Sequence, residues 1–355
     1  MTAQAPEAPA RARIVVTGWS LHLPGVDLAA AVPALAAAAP EVAQRPACPP
    51  EAAHELLGRK GLLGKDPATR LALCAVHRAL GLPPRTPREQ GPPDPGVAVV
   101  ASSNFGNVST VVDVVRSVRR SGRSGVSPLA APNASSNSLA SAVAIWFRFG
   151  GANLLVCSGA TAGLDAVALG ALLLRAGRAR RVVVVGAEPA DEVAAALQQR
   201  RAGHPAPLRA GAACVILEPA AAAPAAPSLA APSLAAALPG SGGGPVRGTP
   251  GEPPLDPGGA ALVLGPPGTA GAGTPAVDLT GNCGDLYGAL GVAQVAVAAA
   301  IAVAGTPSGR VRVVSGDAAD GWRTLDILPP AAADDVTPLW TASDRTCRPG
   351  RSTSG

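Results

Sequence analysis

What this sequence has little of narrows its class. Aromatic residues make up 2 % of the 355, as three Phe, four Trp and one Tyr. Base stacking needs more than that, and the net charge of +5 is mild and carries no nucleic-acid motif, so no nucleic-acid partner is expected. Lysine is nearly absent: Lys60 and Lys65 are the only two among 29 basic residues. With Ala, Gly and Pro abundant, that bias follows GC-rich coding more than any function. The six cysteines (Cys48, Cys74, Cys157, Cys214, Cys283, Cys347) are scattered, with no CxxC pair and no metal-ligand spacing. Reduced thiols in a cytoplasmic protein are expected, and no metal. Residues 1–12 lack a sustained apolar run, and the apolar stretch 291–304 is too short to span a bilayer. It reads as a buried core helix, and no membrane partner is expected. Histidine occurs four times, at His22, His54, His77 and His204, and never after that.

What is present is apolar and periodic. Hydrophobic residues reach 48 %, and with so few aromatics the packing falls to Ala, Val and Leu, which suits close helices and buried parallel strands. Strands are expected at Arg13 to Thr17, Gly96 to Ala101, Asn153 to Cys157, Arg181 to Val185 and Ala212 to Glu218, and again at Ala260 to Leu264, Arg310 to Val314 and Thr324 to Leu328. Most are continuous rather than alternating apolar runs, so both sheet faces should be covered. Helical patterns such as Asp66 to Leu80 and Gly163 to Ala176 fall between them, which argues an α/β layered fold. Residues 219–259 are rich in Ala, Pro and Gly and contain a tandem Ala-Pro-Ser-Leu-Ala at 226–230 and 231–235. They read as a flexible linker between halves 13–218 and 260–330, with disordered tails at 1–12 and 331–355.

Residues 153–166, Asn-Leu-Leu-Val-Cys-Ser-Gly-Ala-Thr-Ala-Gly-Leu-Asp-Ala, form an apolar strand, a tight turn of small residues and a helix start. A nucleophile elbow has this layout, because a sharp turn lifts one side chain clear of the sheet. The residue at the tip is Ala160, which has nothing to attack with. The stretch resembles the active-site segment of β-ketoacyl synthases, Val-x-x-Ala-Cys-x-x-Gly, with Val156 and Gly163 in place and Ala160 in the cysteine slot. The Gly163-Leu164-Asp165-Ala166 ending resembles one branch of that family, the chain length factors of type II polyketide synthases, although Gly159-Ala160 stand where Glu-Gln is typical there. Residues 66–73, Asp-Pro-Ala-Thr-Arg-Leu-Ala-Leu, are similar to a run of the same branch.

That resemblance implies a thiolase-like layered αβαβα fold with duplicated half-domains, the second half here shortened. It implies two histidines in the C-terminal half, and this chain has none there. Residues 281–291, Gly-Asn-Cys-Gly-Asp-Leu-Tyr-Gly-Ala-Leu-Gly, resemble the loop that carries one of them, with Asp285 in the histidine slot. A carboxylate there would repel a developing enolate. The family's Gly-Phe-Gly-Gly loop is absent near Gly321, replaced by Ala318-Ala319-Asp320-Gly321-Trp322. No catalytic residue is therefore expected.

Val108, Val111, Val115 and Val118 recur at helical spacing. A helix packed on its own core is one reading; the resemblance places Val108, Val111 and Val115 on the wall of a polyketide tunnel. Arg116, Arg119, Arg120 and Arg123 follow, and Arg175, Arg178, Arg180 and Arg181 cluster later. Either group is a solvated face or a dock for an acidic acyl carrier protein. By resemblance the strand Asn153, Leu154, Leu155, Val156 and Cys157 lies at a subunit interface. The partners implied are an active ketosynthase, as a heterodimer, and an acyl carrier protein delivering phosphopantetheine-linked acyl chains; no bound cofactor is expected. The chain reads as a non-catalytic subunit that shapes the tunnel. Rival readings are a decarboxylase or acyltransferase using Cys157 or Ser158, both expected to pack structurally instead, and a free-standing acyl-binding pseudoenzyme.

Overall fold

The computed structural model describes residues 13–330 apart from 88–89, 129, 202–205, 224–225, 230–252 and 257. Both expected tails lie outside the described residues. Ten strands make one continuous sheet: β1 Ile14–His22, β2 Val97–Ser102, β3 Asn153–Val156, β4 Arg181–Glu188, β5 Gly211–Pro219, β6 Ser228–Leu229, β7 Ala260–Leu264, β8 Ala276–Val277, β9 Arg310–Asp317 and β10 Gly321–Leu328. Their order is β3-β2-β4-β5-β1-β6-β10-β9-β7-β8.

That order is one topology written twice. In the first half β2 runs parallel to β3 and β4, while β5 lies antiparallel between β4 and β1. In the second, β7 runs parallel to β8 and β9, while β10 lies antiparallel between β9 and β6. The halves meet where Val15 pairs with Ser228. The duplicated half-domains expected from the resemblance are present.

Period-two alternation assigns each strand face to a layer. Val97, Val99, Ala101, Val183, Val185, Cys214 and Ile216 pack outward with residues of helices Pro67–Ala79 and Ser138–Phe147. Asp66 caps the first of these, its carboxylate accepting from the Thr69 N–H at 2.7 Å. Ala98, Val100, Val182, Val184, Val215 and Leu217 pack inward, in one core with residues of the elbow helix Ala162–Arg175 and the core helix Leu290–Ala304. Leu262, Leu264, Val311, Val313, Leu325 and Ile327 of the second half join this same core. On the far side Val263, Val314 and Trp322 pack with Ala260 and Ala270. There a loop, not a helix, connects β7 to β8. Among the described residues the outer face of the second half thus carries a loop between its parallel strands where the first half carries helix Ser138–Phe147.

The core helix is apolar all round because it touches both half-sheets. Tyr287–Ala304 is long and apolar enough to cross a membrane by length and composition, yet 83 % of it is buried inside the protein. Its Gln294 amide donates to the Val314 carbonyl at 2.9 Å. The core and elbow helices start in backbone contact: a Cβ on Gly163 would lie 2.7 Å from the Gly291 nitrogen, and one on Gly291 would lie 2.6 Å from the Leu164 nitrogen.

Two expectations need correction. The segment expected as a linker burying little contains β6, whose Ser228 and Leu229 are buried and pair with β1 and β10. Pro227 ahead of it has no N–H to give, but its carbonyl accepts from Val16 at 2.8 Å. Two buried residues inside an Ala/Pro run leave no compositional signal. The interface strand ends at Val156, so Cys157 falls in the turn beyond it.

Candidate functional site

The elbow is built as its sequence pattern requires. β3 ends, the chain turns through Cys157 and Ser158, and Gly159 adopts φ +73°. A side chain there would be strained by that φ and would collide with the Asp320 carboxylate. Ala160 follows in a single 3-10 turn, Gly159–Thr161, that runs into the elbow helix. It is buried beside Phe105, Ala194 and Tyr287.

Around Ala160 the polar groups satisfy one another. Its N–H donates to Asp320 Oδ2 at 2.8 Å, and its carbonyl accepts from Ser315 Oγ at 3.1 Å. Asp320 stands at the tip of the β9–β10 hairpin and is also held by Arg201, which bridges to Asp317 at 2.7 Å. The Arg201 guanidinium lies 3.8 Å from the centre of the Tyr287 ring, a cation–π contact. The Tyr287 hydroxyl reaches Asp320 at 3.4 Å. Burial pushes that hydroxyl above the usual phenol range, more than Arg201 pulls it down. Asn104 clamps the turn from the other side, accepting from the Gly159 N–H at 3.1 Å and donating to the Gly159 carbonyl at 2.9 Å.

Beneath Asn104 lies a fully buried carboxylate, Glu188, at the end of β4. It accepts from the Asn104 N–H at 2.6 Å, the Phe105 N–H at 3.0 Å and Ser103 Oγ at 3.2 Å. Burial pushes its pKa up to about 7, against the pull of these donors.

Asp285 is buried near this cluster but does not bond to Ala160. Its carboxylate accepts from the Tyr287 N–H at 2.7 Å and from the Gln198 amide. Tyr287 connects the two places: its backbone binds Asp285 and its hydroxyl meets the carboxylate held by Ala160. An acyl-transfer site presents a nucleophile and a free N–H where the oxyanion develops. Here the tip has no nucleophile, and the N–H at the tip is occupied by the chain's own carboxylate.

Cys157 and Ser158 do not pack as expected; both are exposed, because the turn swings them past the end of β3. Partial burial and the Glu188 charge push the Cys157 thiol up, away from the reactive thiolate. Ser158 Oγ donates to Asp165 at 2.5 Å, and Asp165 is bound in turn by Arg323 at 3.0 Å. No described histidine bonds to either. His204 lies outside the described residues.

The valine stripe lies on helix Val108–Ser121, in which no residue is buried. A helix closed into this chain's own core is therefore excluded. Val108 packs against the cluster around Ala160, whereas Val111, Val115 and Val118 are 36 %, 43 % and 46 % exposed. Arg116, Arg119, Arg120 and Arg123 are exposed along and just after the helix. The later cluster is partly ion-paired: Arg180 with Asp94, and Arg181 with Glu218 at 2.9 Å. Among the described residues β3 is an edge of the sheet, paired on one side only, with Leu154 37 % exposed.

Motif reading missed Asn104, Glu188, Arg201 and Asp317. The one local signal was a carboxylate closing the valine run of β4. Arg201 and Asp317 are 116 residues apart, and no spacing rule joins them.

Residues 57–210 match the family model of the β-ketoacyl synthase N-terminal domain. The fold is similar to that of the ishigamide ketosynthase/chain length factor, at 22 % identity and TM-score 0.65, covering 90 % of this chain and all of that one. It is also similar to a type II polyketide synthase acyl carrier protein in complex with its ketosynthase bound to the hexaketide, at 15 % identity and TM-score 0.63, again covering 90 % and 100 %. A ketosynthase from module 1 of the bacillaene synthase of Bacillus amyloliquefaciens FZB42 aligns at 13 % identity and TM-score 0.56, covering 92 % of this chain and 75 % of that one. No curated protein matches by sequence.

Proposed function

We propose that this chain, whose residues 57–210 match the β-ketoacyl synthase N-terminal domain on a ketosynthase fold, is a non-catalytic chain length factor subunit of a type II polyketide synthase. The observation that carries the proposal is the elbow itself: Ala160 at its tip, with the N–H held by Asp320 at 2.8 Å. The active ketosynthase partner supplies the cysteine and both histidines. This chain contributes the exposed edge β3 for strand pairing and the exposed valines Val111 and Val115, with Val108, as wall for the growing chain. An unpaired edge strand is a template for another strand, and pairing removes it. Arg116, Arg119, Arg120 and Arg123 offer the acidic carrier protein, with its phosphopantetheine-linked acyl chain, a cationic face.

Support comes from similar folds in a ketosynthase/chain length factor and in a ketosynthase bound to its carrier protein. The raised Cys157 thiol and the Arg323-bound Asp165 beside Ser158 weigh against the rival nucleophiles. Reconstitution with the cognate ketosynthase and carrier protein tests the reading. Carbon–carbon bond formation is expected only with both subunits, and the products should come from the partner's cysteine. Condensation by this chain alone, or by a mixture in which the partner's cysteine is removed, overturns it.

A further inference from the structure

On the outer side of the first half-sheet, away from the elbow, two cysteines that the sequence keeps apart come together. Cys74 lies on helix Pro67–Ala79, and Cys48 lies in the segment 45–49, which has neither helix nor strand. Both thiols are free, and their sulfurs lie within 4.8 Å of each other. Cys74 is fully buried and Cys48 half-buried, so solvent reaches one thiol of the pair and not the other.

The segment that carries Cys48 is held in place at two backbone points. Arg78, one turn beyond Cys74, donates to the Pro46 carbonyl, and His22 Nε2 at the end of β1 lies 2.9 Å from the Cys48 carbonyl. A carbonyl only accepts, so that ring nitrogen carries the proton. The same N–H lies 3.8 Å from Cys48 Sγ, which makes the sulfur an acceptor toward the ring. A hydrogen bond with Cys74, then the His22 contact and the Arg78 charge, hold the Cys48 thiol below its usual range against partial burial. The same bond and burial push Cys74 up. The pair is therefore asymmetric, with a nucleophile open to solvent and a resolving thiol behind it. A disulfide holds its sulfurs about 2.05 Å apart, so the pair closes by a movement of less than about 3 Å. The irregular segment at Cys48 can make that shift while the helix stays where it is.

We propose that Cys48 and Cys74 form a reversible dithiol–disulfide pair oxidised by a hydroperoxide. The Cys48 sulfur attacks the peroxide: the S–O bond forms as the O–O bond breaks, and the leaving oxygen takes a proton from solvent. The Cys74 sulfur then attacks the Cys48 sulfenic acid. The S–S bond forms, the S–O bond breaks, and the hydroxide leaves as water with the Cys74 proton. Two electrons pass from the two thiols to the peroxide, and hydrogen peroxide yields two waters. A small thiol reverses the step by exchange. The bond ties the 45–49 segment to helix Pro67–Ala79. The pair is separate from the elbow and does not rest on the function proposed above.

The test uses the full chain with Cys157→Ser and Cys347→Ser, which removes the exposed thiol and the one outside the described residues. Hydrogen peroxide is added to the native chain at one equivalent, and the remaining thiols are then alkylated in urea. Peptide mapping by mass spectrometry should find a linked Cys48–Cys74 peptide that dithiothreitol separates, while Cys214 and Cys283 stay free. Dimedone present during oxidation should label Cys48 and not Cys74. Cys48→Ser, checked for its fold by circular dichroism, should slow the oxidation of Cys74 tenfold or more. The mapping of the parent chain decides without any change at the buried Cys74. Four results overturn the proposal: Cys48 oxidised past the sulfenic acid with Cys74 left free, dimedone on Cys74, a linked peptide only from unfolded chain, or oxidation of Cys74 unchanged by Cys48→Ser.

Discussion

Ala160 shows how little a missing nucleophile says by itself. The turn around it is held by Asn104, Ser315 and Asp320, so the site has been refilled rather than merely emptied. Ala160→Cys should therefore stay inactive: a new thiol would be buried beside Phe105, Ala194 and Tyr287, which disfavours the thiolate, and no described histidine bonds to the turn to activate it. The measurement is condensation by the purified variant alone, expected at background. Glu188 makes a prediction about pH. Its folded pKa of about 7 lies above the ordinary 4.5, so the folded state holds a proton that the unfolded state has already lost between those values. Stability should then fall as pH rises from about 5 to about 7.5, by about 2 kcal/mol in that range. Urea unfolding across that window should show the decline, and Glu188→Gln should flatten it. An unchanged slope in the variant would assign the titration elsewhere.

At the scale of elements, the proposed assembly rests on two surfaces. β3 is an edge with Leu154 37 % exposed, so Leu154→Glu should leave the isolated chain within about 0.5 kcal/mol of its stability. The same change puts an unpaired charge into a strand-to-strand interface and should abolish co-elution with the ketosynthase. Size-exclusion chromatography of the two together reads this directly. The valine helix makes the complementary case. Val115 is 43 % exposed, so Val115→Phe meets open space here and should not lower the melting temperature of the chain. In the reconstituted complex it should shorten the products, read by mass spectrometry of carrier-bound chains. Unchanged lengths with unchanged stability would remove Val115 from the tunnel wall.

For the whole molecule, one of the contacts that join the two halves of the repeated topology lies where the elbow and core helices start. Gly163 begins the elbow helix and Gly291 the core helix, and neither has room for a Cβ: the nearest atoms would be backbone nitrogens at 2.7 and 2.6 Å. Backbone cannot rotate away as a side chain does, so Gly291→Ala must push the helices apart. A destabilisation of about 2–3 kcal/mol is expected, at the upper end for overpacking a core. Thermal unfolding by circular dichroism checks it, with Gly177→Ala as control, because nothing lies near that Cβ and only the positive φ opposes it.

The sequence by itself determined the α/β class, eight of the ten described strands and the long helices. Continuous apolar runs and 3.6-residue periods are local, and burial on both faces writes them into adjacent residues. It also determined the elbow, since strand, turn and helix start follow one another from Asn153 to Ala166. Only the tertiary structure decided β6, whose two residues gain their place from β1 and β10 rather than from propensity. The filling of the elbow was likewise invisible, because Asp320 reaches Ala160, and Arg201 reaches Asp320, from distant parts of the chain. His22, Cys48 and Cys74, whose ring nitrogen and sulfurs lie within 4.8 Å of one another, meet only because the outer layer closes over the first half-sheet. Contacts of that kind are fixed by how layers stack, and no window along one chain contains them.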